Sequence, residues 1–164
     1  MPRFDECLKV VLDLEGEPTN DPRDPGGLTK FGISKRSHPS VDILGLTREE
    51  AADIYRREYW NPIHGDALPA GIDLLVFDAA VNQGVKPAII MLQLAAGVQS
   101  DSVIGGETLA AVSSQPKEKL AILFSARRAK RYATNPSVQV YGGGWFNRLF
   151  VVFAIALREM QCQI

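Results

Sequence analysis

The sequence lacks most of the features that mark a familiar chemistry. It has two cysteines, Cys7 and Cys162, too few for a disulfide framework, and both are expected to be free thiols. Its two histidines, His38 and His64, have no metal-ligand spacing and read as loop residues. It has no G-x-G-x-x-G, no P-loop and no G-x-S-x-G. That sets aside dinucleotide binding, nucleoside triphosphate chemistry and the serine nucleophile elbow. No metal or cofactor is expected. Charge is nearly balanced, with 18 lysines and arginines against 19 acids and a net charge of -1. Nucleic-acid binders usually carry a basic excess. The one basic cluster, ARRAKRY (Arg127, Arg128, Lys130, Arg131), reads as the solvated face of a helix, and no nucleic-acid partner is expected. The N-terminus MPRFDECLKVVL has no basic leader or long apolar core, so no signal peptide is expected. The longest apolar run, LFVVFAIAL at 149–157, lies between Arg148 and Arg158. A spanning helix needs ~20 apolar residues, so this run is expected to be a buried core helix without stable membrane insertion.

The rest of the chain is predominantly helical in pattern. At 164 residues and 46% hydrophobic content it can build one well-filled core. It contains no repeat, low-complexity tract or linker, so 1–164 is expected to be a single all-α domain. Thr47 followed by Glu50 is a capping box that opens a helix over 47–60, with Ile54, Tyr55 and Tyr59 inward. Ile72, Leu75, Val76 and Ala79 mark a helix in 71–84 that Gly84 would end. Pro87 suits the first turn of 86–97, closed by Gly97. A short helix follows at 105–112. The next covers 115–133, with Ser114 as its cap and Pro116 in its first turn. The last covers 144–160.

Residues 16–46 break the pattern, being too rich in proline and glycine for helix. Within them LTKFGIS alternates weakly and predicts a strand in a small β-hairpin. The helix before this segment carries Phe4, Leu8 and Val11 as its apolar stripe. Glu15 falls on that same stripe, within about 40° of all three at helical spacing. A carboxylate on the core side of a helix, at the mouth of a polar glycine-rich segment, points to carboxylate chemistry. Desolvation disfavours the charged form of a half-buried carboxyl, which suits such a group to donate a proton. Glycoside hydrolysis needs a proton donor and a second group that stabilises the cation or positions water. Asp24 and Thr29, nine and fourteen residues after Glu15, are the candidates for the second role, with Asp21 a further one. Asp21 and Asp24 also precede prolines, as turn-forming aspartates do. For substrate contacts, Tyr59 and Trp60 offer aromatic faces to a sugar ring. Asn82 and Gln83 offer amides to N-acetyl or hydroxyl groups. The competing roles are core packing for the aromatics and helix capping for the amides.

LEGEPTNDPRDPGGLTKFGIS resembles the opening signature of glycoside hydrolase family 108, a family of N-acetylmuramidases. The resemblance continues in YRREYWNP, FDAAVNQG, DSVIGGETLAAV and GWFNRL, and so covers nearly the whole chain. It departs at Glu17, where the family pattern has a glycine, at Asp101-Ser102 in place of Asp-Gly, and at Gly106 in place of a proline. The resemblance implies a lysozyme-like, mainly helical fold. It also implies Glu15 as catalytic acid and a C-terminal half, about 100–164, that is peptidoglycan-binding-like. The spacing of Glu15, Asp24 and Thr29 is similar to that of tailed-phage lysozymes. The implied partner is the glycan strand of peptidoglycan. The implied enzyme is an endolysin-type monomer, made in the cytosol and released to the periplasmic wall. A lysozyme-like module that binds glycan or a partner protein without turnover is the alternative.

Overall fold

The structure is a computed structural model that describes residues 3–15 and 28–161. It is mainly helical, with seven α-helices and a two-stranded hairpin among the described residues. The chain separates into two compact units, Met1–Glu58 and Tyr59–Ile164.

In the first unit, α1 (Arg3–Glu15) buries Phe4, Cys7, Leu8 and Val11 on one face, as the spacing predicted. Cys7 is buried; Cys162 lies outside the described residues. The guanidinium of Arg56 stands 4.1 Å over the ring of Phe4. Strands β1 (Thr29–Lys30) and β2 (Ile33–Ser34) pair antiparallel, Thr29 opposite Ser34 and Lys30 opposite Ile33. Ile33 of β2 and Ile43 and Leu46 of the loop that follows are buried. The predicted capping box is present. Thr47 Oγ1 accepts from the Glu50 amide at 3.2 Å, and Glu50 Oε2 accepts from the Thr47 amide at 2.9 Å. It starts α2 (Arg48–Tyr55), which buries Ala51, Ile54 and Tyr55.

The predicted helix over 47–60 does not stay α-helical to its end. Arg56–Trp60 form a π-helical turn. Hydrogen bonds reaching five residues instead of four shift the phase by one position. Trp60 therefore takes the buried place that α-helical spacing assigned to Tyr59, which is only half-buried.

The second unit is built around α3 (Ile72–Gln83), whose residues 72–80 are all buried. A helix buried on every side belongs at the centre of a bundle. It packs against α4 (Val85–Ala96), α6 (Lys117–Ala133) and α7 (Val138–Gln161), while α5 (Gly106–Ser113) packs on α4 and α6. Gly84 and Gly97 end α3 and α4 with positive φ, as predicted. Two starts differ from expectation. Ser114 does not cap α6; Pro116 holds that position, and the Ser114 hydroxyl donates to the Ala111 carbonyl. Helix α7 begins six residues before Gly144 and runs through three successive glycines. Glycine disfavours a helix, but Gly142 is buried and has no room for a larger side chain beside Val138. By length and composition alone α7 is long and apolar enough to cross a membrane. Its buried residues here are Gly142, Leu149, Val152, Ala156 and Met160.

Charged groups sit inside this bundle, among them Asp73, Asp78 and Arg128. Asp78 of α3 is fully buried and meets two cations. Arg128 Nη1 of α6 lies 2.6 Å from its Oδ2, and Arg148 Nε of α7 donates to its Oδ1 at 2.8 Å. Arg128 is itself fully buried. Removing one partner of such a set leaves an uncompensated buried charge. Asp78→Asn is therefore expected to cost about 3–5 kcal/mol of stability, read from denaturant unfolding. A loss below 1 kcal/mol would show that the two arginines find water or another acid.

Candidate active site

Glu15 ends α1 half-buried, and the hairpin turn comes to it. The turn residues Phe31 and Gly32 both have positive φ, 53° and 73°. That is the pattern of the two-residue type I′ hairpin turn. Phenylalanine is poorly suited to left-handed backbone, and Tyr55 offsets this by donating from its hydroxyl to the Phe31 carbonyl at 3.0 Å. A Cβ placed on Gly32 would fall 2.5 Å from Tyr55 Oη, 3.0 Å from Glu15 Cγ and 3.2 Å from Glu15 Oε2. Gly32 is thus the point where the carboxylate of α1 and the phenol of α2 meet the turn, and any side chain there would part them.

Of the predicted partners of Glu15, Thr29 opens β1, half-buried and two residues before the turn. Asp24 and Asp21 lie outside the described residues. Tyr55 was expected to face inward, but its hydroxyl was not anticipated as part of this site. The signal for it was the F-G pair inside LTKFGIS, whose tight turn needs an anchor for the carbonyl of its first residue.

A second feature of this unit is His38, whose Nε2 lies 2.9 Å from Glu58 Oε2, while Arg57 Nη2 donates to Glu58 Oε1 at 2.8 Å. Partial burial pushes the Glu58 carboxyl up. The hydrogen bonds and charges of Arg57 and His38 outweigh that and hold it below the ordinary value of 4.5. The first unit also has an open groove of about 480 Å³ between Val41 and Arg57. None of the predicted site residues lines it, and its Glu50 is engaged in the capping box.

In the second unit, Trp60 is not a sugar platform. It is fully buried, edge-on to Phe77 at 5.3 Å, with Nε1 donating to Asp66 at 3.0 Å. Gly65 packs so closely on its ring that no side chain fits there. Tyr59 remains partly accessible. Asn82 and Gln83, in the last turn of α3, line a cleft of about 470 Å³. Its other walls include Arg131 and Tyr132 of α6, Asn135 of the following turn, and Trp145 of α7. Tyr132 is buried, and its ring stacks on Trp145 at 5.3 Å. Burial raises the affinity of its phenol for the proton, against the opposing charge of Arg128. Sequence reasoning missed Tyr132 and Trp145. It also took ARRAKRY as one solvated face, which the structure divides. Arg128 is in the core, Arg127 donates to the Leu94 carbonyl at 2.7 Å, and Lys130 and Arg131 are exposed.

Comparison with known proteins bears on both units. The family profile of Glycosyl hydrolase 108 matches residues 8–84, a span that contains every predicted site residue. Among solved structures, that of Brucella abortus SagA aligns with a TM-score of 0.86 at 33% identity. The alignment covers 96% of this chain and 95% of that one. No curated protein matches the chain.

Two outcomes follow from the geometry of the first unit. Gly32→Ala is expected to cost at least about 1–2 kcal/mol, the left-handed backbone penalty alone, and more from the displaced Tyr55 and Glu15. Tyr55→Phe should cost about 1 kcal/mol, one hydrogen bond. Equal melting of Gly32→Ala and wild type would mean that the turn is not closed in solution. For Glu58, a depressed folded pKa adds stability that is complete above pH 4.5 and is lost as pH falls through the lower folded value. Melting temperature should therefore decline with acid below that point, less steeply in Glu58→Gln; parallel acid limbs would contradict this.

Proposed function

The chain belongs to the glycosyl hydrolase 108 family and is a glycoside hydrolase; from this we propose that it is an N-acetylmuramidase with Glu15 as its general acid. The observation that carries the assignment is the placement of Glu15. The side chain is half-buried at the end of a core helix, against the Gly32 turn and the Tyr55 hydroxyl. A carboxyl held in this way has a fixed direction, and position is the first requirement of a proton donor.

The reaction is hydrolysis of the β-1,4 bond from N-acetylmuramic acid to N-acetylglucosamine in peptidoglycan. Glu15 gives its proton to the glycosidic oxygen as the bond to the muramic acid anomeric carbon breaks. Positive charge builds on that carbon and on the ring oxygen. Water supplies the new hydroxyl, and its proton balances the one Glu15 gave up. Asp24 is assigned to face the cation or orient the water, and Thr29 to hold the water by its hydroxyl. Asn82 and Gln83 are assigned to the sugar substituents and Tyr59 to a ring. Residues 1–164 act as one lysozyme-like domain, and a monomer suffices. The protein is made in the cytosol of the host cell and meets the periplasmic wall after release through a pore, as an endolysin does.

Mass spectrometry of digested peptidoglycan tests the bond: reducing-end N-acetylmuramic acid is expected, and free peptides would refute it. Glu15→Gln keeps the shape of the side chain and removes the acid. Clearing of chloroform-treated Gram-negative cells is expected to fall ~10²–10⁴-fold, the usual contribution of such a group, with the melting temperature unchanged or slightly raised. A variant that clears within a few-fold of wild type would remove Glu15 from the mechanism. One that melts early while still clearing would make Glu15 an anchor of the turn.

A further inference from the structure

Helix α7 is less covered than its composition calls for. It is apolar enough to cross a membrane, a property that soluble proteins confine to helices buried in the core. Yet of its most apolar 18 residues 22% are buried. Phe150 is 64% exposed, Val151 is 37% exposed, and Ala154 is exposed beside them. Helix α6 extends this face. Residues 134–137 join the two helices, and so short a connection makes them antiparallel neighbours. Ala126 and Ala129 of α6 share an apolar depression of about 140 Å³ with Phe150 and Phe153 of α7. Ile122, one turn before Ala126, is 56% exposed. Contiguous apolar surface of this kind marks a docking site.

The charges around the face distinguish what docks there. Lys119 lies one turn before Ile122 and Arg158 one turn after Ala154, so both stand at one end of the antiparallel pair. Lys130, one turn after Ala126, stands at the other end. All three are exposed and form no ion pair among the described residues. The two helices carry two acids. Glu118 is exposed near Lys119, and Glu159 is half-buried, about 180° round α7 from Phe150. From 120 to 129 and from 148 to 157 no exposed residue is polar. Arg127 is held by the Leu94 carbonyl, Arg148 by Asp78, and Ser125 Oγ is shielded from solvent. A protein interface carries about one hydrogen bond per 100–200 Å², and the middle of this face has no open groups to make them. A second copy of the chain would set cations against cations. Acyl chains need no hydrogen bond, and anionic headgroups complement cations at the margin of an apolar helix face.

We propose that the α6–α7 face binds the surface of an anionic lipid bilayer. Phe150, Val151 and Ile122 enter the acyl boundary, while Lys119, Lys130 and Arg158 reach the phosphates along their alkyl stems. Helix α7 lies on the bilayer and does not span it, because Leu149, Val152 and Ala156 stay in the core and Arg148 stays on Asp78. The contact is independent of which glycan bond is cleaved.

Co-sedimentation with lipid vesicles tests this with no peptidoglycan present. The probes are vesicles of phosphatidylglycerol and vesicles of phosphatidylcholine. The anionic vesicles are expected to bind the full chain at least about tenfold more tightly, at roughly fivefold per cation near the surface. That advantage should shrink with added salt. Phe150→Ser should weaken binding to phosphatidylglycerol about tenfold, through the lost apolar burial, and Ile122→Ser should weaken it in the same direction. Lys130→Gln combined with Arg158→Gln should weaken it at least about tenfold and flatten the salt dependence. Circular dichroism checks that each variant is folded, and each should still digest purified peptidoglycan at the wild-type rate. No sedimentation with phosphatidylglycerol, equal binding to both vesicles, or undiminished binding in folded Phe150→Ser and Ile122→Ser would overturn the proposal. So would a lipid-free dimer in analytical ultracentrifugation that Phe150→Ser converts to monomer, since a second copy would then cover the face. Vesicle binding as expected in a protein that never cleaves peptidoglycan would sink the catalytic reading and leave this one standing.

Discussion

Asp78 is the point on which the second unit turns. A carboxylate in the middle of an all-round buried helix is unfavourable by several kcal/mol unless it is paired. It is tolerated because α6 and α7 each bring a guanidinium to it. The requirement reaches beyond the ion pair. Arg128 can serve Asp78 only if its remaining N–H groups find an acceptor, and that acceptor is the Tyr132 hydroxyl one turn further along α6. Tyr132 must then give its own proton to Asn82, which returns the chain of bonds to α3. Three helices are locked in rotation as well as in distance by this circuit. Apolar packing alone would allow them to turn against one another. The same circuit orients the surface amide of Asn82, so a core device sets the chemistry of a cleft.

The first unit solves a different problem. Its turn has a residue in an unfavourable backbone region, Phe31 at positive φ. The Tyr55 hydroxyl offsets that locally, while Gly32 supplies the space in which Glu15 and Tyr55 approach the backbone. Placement of the Glu15 carboxyl and closure of a hairpin are one arrangement here, since both meet at Gly32.

Much of this was legible in the sequence where the signal was periodic or chemical. Phe4, Leu8 and Val11 set the buried face of α1, and the Thr47–Glu50 box set the start of α2. Gly84 and Gly97 marked two helix ends through the backbone freedom only glycine has. Errors came where one local rule met a stronger tertiary demand. Tyr59 and Trp60 were both offered to a sugar while α-helical phase turned Tyr59 inward, and a single π turn buries Trp60 instead. The α7 start was placed at the last glycine of three because propensity argues against all of them, and burial of Gly142 prevails. ARRAKRY looked uniform because charge alone does not reveal that one of its four cations has a buried acid waiting 50 residues earlier in sequence. Ser102 shows the reverse case. It stands where the family pattern has glycine, and it does adopt the left-handed backbone, at φ 65°, held by the buried Gln93 that accepts from its amide at 3.0 Å.

The distance along the chain between Asp78 and Arg148 is 70 residues, and this sets an order of events during synthesis. Helix α3 leaves the ribosome with its acid exposed and nothing to meet it. Arg128 arrives later, and the second cation only with α7. Until then the central helix of the second unit carries an unmatched charge, which opposes premature collapse around it. Contacts this far apart in sequence also slow the final closure of the bundle. Translation therefore delivers a glycoside hydrolase whose second unit stays unassembled until α7 has been made, a built-in delay between the start of synthesis and the first appearance of the finished fold.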